Sequence, residues 1–472
     1  MLDETPSPRL GNSLYFILGF AFVLRIPMLS EGLWFDEIRL ITEFTRLPLG
    51  ELLSTYGSDN NHPLYTVLAW FSTTAFGESI WALRLPALVF GMLSLVALAK
   101  LATLVLGRKK AVLITMLAAI SYHHIWFSNN ARGYTALLFF TLTATHELIC
   151  LLDDRGRERL LTYSLSLALA TWVHTTGVFI GMAHLVVVLF MSGRSRPRGI
   201  LGLMMATFFS LCLHAPILGD MIAFLGGDDG FQRVTSSWTN PLWTINEALR
   251  TFGIAPWLGL VAGAIACFFT VIGLKKLSRI DRRLPYLFFL PAVFGTLTML
   301  LLERNIWPRF YFNLLGFFLI VGILCIDFCV EIVDRLLHRP RLTYALAIST
   351  VCLAFLFILP PALVTPKQNY PAAAEYLDKR QSEGAKVITV GLAVKPYEAY
   401  YKKPYEGVDQ VGRLQEIMSS SKEVYAVDTL STYLRSRTPD LAAMLDDRFE
   451  VVSTFPGTVG GGELTIYRFK RD

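Results

Sequence analysis

Residues 342–363 read LTYALAISTVCLAFLFILPPAL, a run that contains no charged side chain. A helix needs about 20 apolar residues to cross the hydrocarbon layer of a bilayer, so this run predicts a membrane-spanning helix. Ten further apolar runs precede it, at residues 14–29, 83–106, 111–127, 134–152, 160–173, 177–191, 200–218, 256–274, 285–302 and 310–330. We therefore predict eleven membrane helices.

The overall composition is that of a membrane protein. Of the 472 residues, 53% are hydrophobic and 17% are charged, and the mean hydropathy is +0.48. These values are typical of a bundle of membrane helices and exclude a soluble globular protein of this size. The net charge of +6 does not indicate a nucleic-acid partner, because the basic residues mark loop ends and form no continuous basic face.

The basic loops decide the topology, because loops on the cytoplasmic side collect Lys and Arg. Five basic clusters occur, at residues 108–110, 155–159, 194–198, 275–283 and 335–341. Eleven spans with a cytoplasmic N-terminus place all five on the cytoplasmic side, whereas a twelfth span at 62–76 would move every cluster outside. We therefore predict that 62–76 is an amphipathic interfacial helix, with Trp70 and Phe71 as anchors.

This topology assigns the loops to two faces. The outer face receives a long first outer loop (residues 30–81) and the segments 128–133, 220–255 and 303–309. The chain after residue 365 also lies outside. We therefore predict an integral protein of a bacterial plasma (inner) membrane, whose site residues and C-terminal segment are extracytoplasmic.

Two domains follow from this organisation. Residues 1–365 form an all-α polytopic membrane bundle, and residues 366–472 form a small extracytoplasmic α/β domain. Periodicity in the second domain predicts helices at 370–380 and 440–447, strands at 386–390, 423–427, 450–455 and 463–469, and a hairpin turn at 460–462.

The first outer loop opens with Leu33-Trp34-Phe35-Asp36-Glu37-Ile38-Arg39, which places adjacent carboxylates directly after a membrane helix. A carboxylate at the water–lipid boundary is positioned to remove a proton from an acceptor hydroxyl. The alternative interpretation is an acidic first helical turn that matches the helix dipole, because such turns are common.

Basic and aromatic residues mark three further outer positions. His62 precedes Pro63, Arg132 lies in the short loop Ser128–Tyr134, and Arg309 precedes Phe310. Arginines in these positions can clamp a phosphate through their planar guanidinium groups. The alternative is that they anchor helix ends by snorkelling to lipid head groups.

The order of these motifs resembles the membrane glycosyltransferases of the C-type fold (GT-C), close to the protein O-mannosyltransferase and aminoarabinose-transferase relatives (glycosyltransferase families 39 and 83). The resemblance runs from about residue 24 to 147. Its motifs are Leu33-Trp34-Phe35-Asp36-Glu37, His62-Pro63-Leu64-Tyr65, Phe76-Gly77-Glu78-Ser79, Leu83-Arg84-Leu85-Pro86-Ala87 and Asn129-Asn130-Ala131-Arg132-Gly133-Tyr134, with a weaker echo at Pro308-Arg309-Phe310-Tyr311.

The resemblance implies a polyprenyl-phosphate sugar donor held at the outer membrane surface. It implies that Asp36 is the catalytic base on the acceptor, with Glu37 as its catalytic neighbour. Arg39 falls where the aminoarabinose-transferase branch has an arginine near the phosphate. His62 falls where that branch has a lysine.

The same resemblance places Arg132, Tyr134 and Arg309 among the residues that bind the donor phosphate. The sequence departs from the family pattern after the loop 128–134. The relatives have a second acidic residue a few positions later, and Thr135-Ala136-Leu137 contains none. We therefore expect no metal ligands and no obligatory cofactor, although Mg²⁺ or Mn²⁺ stays an open alternative. The six cysteines show no CxxC or Cys/His spacing, which predicts neither a disulfide framework nor a structural metal.

The resulting hypothesis is an inverting glycosyltransferase that moves a sugar from the lipid donor to a hydroxyl of a protein, lipid or glycan acceptor. The alternative from another class is a membrane transporter or a flippase for lipid-linked sugars. Transporters keep ionisable residues near the bilayer midplane and often contain inverted repeats, and the sequence shows no repeat. A membrane-anchored binding module is a third possibility, which leaves the first outer loop unexplained.

Overall fold

The computed structural model describes residues 8–58, 60–156, 158–226, 238–250 and 259–471. Parts of the predicted loop 220–255 and the first residues of the predicted span 256–274 lie outside these described residues.

The first outer loop is largely helical. After helix α1 (Pro8–Arg25) it holds α2 (Phe35–Leu40), a π-helical turn (Ile41–Thr45), α3 (Leu49–Ser54) and α4 (Pro63–Phe76). Helix α4 begins at Pro63, whose missing N–H is harmless in a first helical turn. Its Tyr65 and Ala69 are buried while Phe71 is exposed, so the helix predicted at 62–76 is confirmed, and its position at the membrane interface stays a prediction.

The membrane bundle follows, and a helix coincides with every predicted span. The first half comprises α5 (Ile80–Leu106), α6 (Arg108–Ala119), α7 (Tyr122–Ser128), α8 (Tyr134–Leu152), α9 (Arg159–Val173), α10 (Gly177–Met191) and α11 (Arg196–His214). The second half comprises α12 (Leu218–Gly226), α13 (Pro241–Arg250), α14 (Gly259–Ile280), α15 (Leu284–Leu301), α16 (Leu315–Leu337) and α17 (Pro340–Val364). A 3-10 segment (Pro308–Leu314) precedes α16.

Among the described residues, eight helices are long and apolar enough to cross a membrane, or nine if the bent pair α6–α7 is one span. The two remaining predicted spans correspond to α9 and α10, which have 15 residues each. The predicted span 111–127 is not one straight helix, because α6 and α7 meet there at an angle of 62°. The buried Arg25 guanidinium donates to the carbonyl of Ala119 at this break, and an inserted side chain of this kind bends a helix.

Ion pairs join the basic loops at one end of the bundle. Arg283 bonds to Asp153 at 2.7 Å, and Arg198 pairs with the neighbouring Asp154. Lys110 bonds to Asp327 at 2.6 Å on the adjacent helices. The loops that carry the predicted site residues lie at the opposite helix ends, as the alternation of spans requires.

The C-terminal segment contains α18 (Tyr370–Ser382), β1 (Lys386–Val390), β2 (Glu406–Val408), α19 (Val411–Ser420), β3 (Glu423–Thr429), α20 (Ser431–Arg437), α21 (Pro439–Arg448), β4 (Glu450–Phe455) and β5 (Leu464–Lys470). Its sheet has the order β2-β1-β3-β5-β4, with β2, β1 and β3 parallel and β5 antiparallel to both neighbours. The predicted elements are confirmed, and the sequence analysis missed β2, α19 and α20.

A shared apolar core joins the first outer loop to the C-terminal segment. Ile38 and Tyr65 from the loop belong to the same buried cluster as Tyr370, Ala374 and Tyr397. Burying aromatic side chains on both sides of a contact stabilises it strongly, because each removes a large apolar area from water. The C-terminal segment therefore packs directly on the helix that carries Asp36.

Candidate active site

The helix α2 presents Asp36 near its N-terminus. Trp34 precedes the helix with an extended backbone, and its indole N–H donates to the Asn130 side chain at 3.0 Å. The Glu37 carboxylate accepts the N–H of Trp34 at 3.4 Å, which is half of a capping box. The short motif thus begins its own helix and attaches it to the loop that carries Arg132.

Glu37 is a structural residue. It is fully buried and takes a bidentate hydrogen bond from Arg84, at 2.8 and 2.6 Å, and a third from the N–H of Ala131 at 2.7 Å. Burial alone would raise the pKa of Glu37, but Arg84 and the other donors hold this pKa below its ordinary value. A carboxylate with its oxygens engaged in this way is a poor base, and its contacts hold the start of α2, whereas the predicted catalytic role of Glu37 stays a prediction.

Arg84 lies in the Leu-Arg-Leu-Pro motif, to which the sequence assigned no role, and the structure supplies one. Besides Glu37, its guanidinium donates to the carbonyls of Met28 and Glu31 at 2.8 Å each and of Gly32 at 3.1 Å. One arginine on α5 therefore secures both the end of the first span and the start of α2. The Leu-Arg-Leu-Pro motif was the feature of the sequence that could have marked Arg84 as important.

Asp36 has a different environment from Glu37. Its side chain is 10% exposed, and its Oδ2 lies 3.4 Å from Nη1 of Arg309 and 3.9 Å from Nη1 of Arg132. The structure therefore brings together three residues that are up to 273 positions apart in the chain. Two guanidiniums facing one carboxylate leave an excess of positive charge at the site.

The short loop before α8 positions Arg132. Its Nη1 donates to the carbonyl of Asn60 at 2.6 Å and also bonds to the Asn60 side chain. Arg132 is 4% exposed, so the alternative of an arginine that snorkels to lipid head groups does not describe its position. A Cβ at Gly133 would lie 2.6 Å from a Val173 methyl and 2.9 Å from Nδ1 of His62, so a close contact within the protein requires this glycine.

Three aromatic rings surround Arg132. The His62 ring lies 5.0 Å from the Tyr134 ring and 4.7 Å from the His174 ring, measured between centroids. Nδ1 of His62 accepts the N–H of Gly133 at 3.0 Å, which places the proton of the neutral ring on Nε2. His174 follows α9, and its sequence context indicated only a polar residue near the end of a span.

Both histidines are neutral in this environment. Burial, followed by the charge of Arg132, the neighbouring His174 and Arg309, lowers the pKa of His62 well below its ordinary value. Burial and the same two arginines lower the pKa of His174 to about 3. His62 therefore offers a hydrogen-bond donor rather than the positive charge of the lysine that the family resemblance places there.

Buried hydrogen-bond donors at this site have no acceptor among the described residues. They are Nε of Arg132, Nε2 of His62 and the hydroxyl of Tyr134. An unsatisfied buried donor costs about 1–3 kcal/mol, and native proteins keep few of them. Several donors of this kind in one place indicate a site for an acceptor-rich ligand.

Arg39 occupies another position on α2. Its guanidinium donates to both carboxylate oxygens of Glu43, at 2.8 and 3.0 Å, and to the Ser58 hydroxyl at 3.1 Å. Glu43 in turn pairs with Lys395 of the C-terminal segment. Arg39 therefore belongs to a salt-bridge network at the rim of the first outer loop, and its phosphate contact stays a prediction.

The residues around Asp36 do not form a set of ligands for a divalent cation. Within the described parts of the chain, no three His, Cys, Asp or Glu side chains are grouped to hold a metal. Hard cations such as Mg²⁺ prefer several oxygen ligands, whereas Asp36 faces two guanidiniums and the adjacent Glu37 is engaged by Arg84.

A small apolar depression lies beside Arg309. It lies between α10, α15 and the 3-10 segment, and it is lined by Thr176, Phe179, Pro291, Gly295, Met299, Phe310, Tyr311, Asn313 and Leu314.

Comparison with known proteins relates this geometry to a fold. Residues 60–219 match the family model of dolichyl-phosphate-mannose-protein mannosyltransferases. ArnT from Cupriavidus metallidurans in the apo state is similar to the chain with a TM-score of 0.54 and 12% identity, and the similarity covers 98% of both chains. No curated protein sequence matches the chain.

Two further solved structures are similar. ArnT from Cupriavidus metallidurans bound to undecaprenyl phosphate gives a TM-score of 0.51 at 13% identity, with 98% of both chains covered. The Archaeoglobus fulgidus oligosaccharyltransferase in complex with Zn and sulfate gives 0.54 at 12% identity, with 96% of this chain and 72% of that chain covered. The chain has the fold of the C-type membrane glycosyltransferases (GT-C).

The GT-C fold explains why the predicted motifs converge. The matched region, 60–219, contains His62, Arg84 and Arg132, whereas Asp36 precedes it and Arg309 follows it. The GT-C architecture therefore agrees with the fold predicted from the sequence, including its small C-terminal α/β segment.

Proposed function

We propose that this GT-C enzyme transfers a sugar from a polyprenyl-phosphate donor to an acceptor hydroxyl, with Asp36 as the catalytic base. The observation that carries the proposal is the position of the Asp36 carboxylate beside the guanidiniums of Arg309 and Arg132, at 3.4 and 3.9 Å. The carboxylate supplies the base, and the arginines supply the anion site, within one cluster of side chains.

The charge balance favours a phosphate ligand. Two arginines and one carboxylate leave one net positive charge, because His62 and His174 are neutral. The unsatisfied donors of Arg132, His62 and Tyr134 add hydrogen bonds that phosphate oxygens can accept. A planar guanidinium binds a phosphate in a bidentate geometry that a lysine cannot provide.

The proposed reaction is a single displacement. Asp36 takes the proton of the acceptor hydroxyl, and the acceptor oxygen attacks the anomeric carbon of the sugar. The bond from that carbon to the phosphate oxygen breaks, and the polyprenyl phosphate leaves with the electron pair, so the anomeric configuration inverts. Arg132 and Arg309 stabilise the negative charge that develops on the leaving phosphate.

The apolar depression beside Arg309 supports a lipid-linked donor, because it gives a hydrocarbon chain an apolar surface to lie along. Its lining includes Phe179, Met299 and Phe310, and Phe310 follows Arg309 directly in the chain. A polyprenyl chain lying along this surface would place its phosphate toward the arginines. The similar ArnT structure contains undecaprenyl phosphate, and we extend that class of lipid to this chain as part of the proposal.

We also propose that the site faces the extracytoplasmic side of a bacterial inner membrane. The basic loops joined by the pairs Arg283–Asp153 and Lys110–Asp327 form the opposite end of the bundle, where the positive-inside rule places the cytoplasm. Residues 1–365 would be the membrane domain and 366–472 an extracytoplasmic domain. Reporter fusions after Thr365 and near Lys109 should lie on opposite sides of the membrane, and a common side would contradict this arrangement.

The experiment that tests the function is mass spectrometry of membrane lipids from cells with and without an intact gene. We expect polyprenyl-phosphate sugar to accumulate when the gene is deleted and to return to its normal level with the wild-type gene. The Asp36→Asn gene should leave the accumulation in place. Equal lipid profiles with and without the gene would contradict a polyprenyl-phosphate donor.

A further inference from the structure

A buried strap joins the last membrane helix to the C-terminal segment. It comprises residues 366–370, which run from the connection after α17 to the first residue of α18. Its Lys367, Gln368 and Tyr370 have no exposed surface. Two fully buried polar side chains, Lys367 and Gln368, are unusual in a connection between two helices, because connecting segments normally lie in water.

The Gln368 side chain links two parts of the molecule. Its Oε1 accepts the N–H of Phe35 at 2.7 Å, and its Nε2 donates to the Thr429 hydroxyl at 2.8 Å. Phe35 is the first residue of α2, and its N–H is one of the helix-terminal donors that the helix itself cannot satisfy. The side chain therefore connects the start of the Asp36 helix to the end of strand β3.

Its neighbours in the strap also face the start of α2. The Lys367 ammonium lies 3.6 Å from the Glu31 carboxylate and 5.6 Å from the centre of the Trp126 ring. Tyr370 lies close enough for the charge of Asp36 to act on it, although burial and Tyr401 are the larger causes of its raised pKa.

The strap itself is fixed by the turn between β4 and β5. The N–H of Thr458 donates to the carbonyl of Pro366 at 2.9 Å, and the N–H of Val459 donates to the carbonyl of Lys367 at 3.2 Å. A Cβ at Gly457 would collide with that same Lys367 carbonyl. The backbone that carries Gln368 is therefore held by the C-terminal sheet rather than by the membrane helices.

We propose that Gln368 is a positioning residue for the transfer reaction, which sets the start of α2 and thereby the location of Asp36. The inference rests on the proposed role of Asp36 as the base. Gln368 belongs to the C-terminal segment, so the orientation of that segment becomes part of the geometry of the active site. Asp36 follows Phe35 directly, so a shift of the Phe35 N–H moves the carboxylate.

The variant Gln368→Met tests this proposal, because it keeps the length of the side chain and removes the acceptor. Its matched control is Asn369→Ala, on the neighbouring residue, whose side chain accepts the N–H of Ala372 at 3.3 Å and so caps α18 instead of α2. Both variants change one polar side chain in the strap, but only one of them touches the Asp36 helix.

The first readout is turnover of synthetic undecaprenyl-phosphate monosaccharides, with membranes from gene-deleted cells as the source of acceptor. For Gln368→Met we expect kcat to fall by roughly 10- to 100-fold, because a displacement of about 1 Å can cost 10²-fold. The donor KM should change less than about twofold, because the arginines that bind the phosphate do not contact Gln368. Asn369→Ala should keep the wild-type kcat.

The second readout is hydrogen exchange, which needs no substrate. The amides of residues 35–40 should exchange faster in Gln368→Met than in the wild type and in Asn369→Ala. Unchanged exchange and unchanged kcat in Gln368→Met would overturn the proposal. If Gln368→Met does not fold, Thr429→Val removes the acceptor of Nε2 and should lower kcat at constant KM, whereas a wild-type kcat in that variant would refute the inference.

Asp36→Asn, measured in parallel, separates the two proposals. Wild-type turnover by Asp36→Asn would reject Asp36 as the base and, with it, the proposed function. An inactive Asp36→Asn beside a fully active Gln368→Met would leave the function intact and reject the positioning role alone.

Discussion

Glu37 and Arg84 form a bidentate ion pair in which neither side chain is exposed, with N–O distances of 2.8 and 2.6 Å. The adjacent Asp36 lies at 3.4 and 3.9 Å from two other arginines and keeps some exposure. Two neighbouring carboxylates of the same motif thus differ in environment, since Glu37 is fully buried in an ion pair and Asp36 lies beside two arginines at longer distances.

The variant Glu37→Gln should destabilise the protein more than it changes the chemistry. Glutamine keeps the shape but leaves Arg84 buried without its counter-charge, and breaking a buried pair in this way costs about 3–5 kcal/mol. Because the pKa of Glu37 is lowered, its contribution is present at neutral pH and is lost as acid protonates it. Thermal unfolding of the purified variant should show a clear fall in Tm, and an unchanged Tm would contradict the structural role.

The variant Asp36→Asn should reduce turnover strongly and change the stability of the protein little. It preserves shape and removes the base, so turnover should fall by about 10²–10⁴-fold. The Tm should stay near that of the wild type, because Asp36 makes longer contacts than Glu37 and remains partly exposed. Kinetics of the purified variant with an undecaprenyl-phosphate sugar provide the measurement. Near-normal turnover would exclude Asp36 as the base.

The membrane helices could be predicted from the sequence, because apolar runs close to the thickness of a bilayer are typical of membrane-spanning segments. The alternation of spans also placed Asp36, Arg132 and Arg309 on one face. The break in the third span could not be predicted, because residues 111–127 form one apolar run and the Arg25 side chain that accompanies the bend comes from another helix.

Long-range pairing accounts for the residues that the sequence analysis missed. The hydrogen bond between Phe35 and Gln368 joins positions 333 residues apart, and no local sequence pattern around Gln368 predicts it. Arg39 shows a different difficulty, because its place in the family motif indicates a phosphate contact while Glu43, one helical turn away, engages its guanidinium in the structure. A resemblance locates residues in the chain, but competing partners decide what they contact.

Activity should persist in excess chelator. Asp36 faces guanidiniums, and Glu37, the nearest second carboxylate in the chain, is engaged by Arg84. Turnover should therefore be equal with and without excess EDTA. Loss of turnover that Mg²⁺ or Mn²⁺ restores would contradict this expectation and indicate that a metal binds beside Asp36.

Lys367 should give the stability a characteristic dependence on alkaline pH. Burial, followed by repulsion from Arg84, lowers the pKa of Lys367 from 10.5 to about 8. Between these values the unfolded chain binds a proton at Lys367 that the folded chain does not, so the free energy of unfolding rises with pH across the interval.

The full effect for one group is roughly 3 kcal/mol, since each unit of pKa shift corresponds to about 1.4 kcal/mol. The measurement compares the Tm of the wild type and of Lys367→Met from pH 8 to pH 10. The wild type should gain stability relative to the variant as pH rises. Parallel curves would show that Lys367 titrates normally in the folded protein.

The last prediction concerns the phosphate contact of Arg132. The Arg132 guanidinium is buried, bonds to Asn60 through Nη1 and keeps Nε without an acceptor among the described residues. Lysine preserves the charge but loses the planar fork, so Arg132→Lys should weaken donor use markedly, and Arg132→Ala should weaken it further. Arg309→Lys should behave like Arg132→Lys if both arginines share the phosphate.

Arg39→Ala is the matched control, because Glu43 and Ser58 engage that guanidinium. It should leave the donor KM near the wild-type value. The measurement is turnover against the concentration of undecaprenyl-phosphate sugar for each purified variant in the same detergent. Wild-type kinetics for Arg132→Lys would reject the phosphate assignment, whereas a large loss in Arg39→Ala would return Arg39 to the donor site that the family resemblance implied.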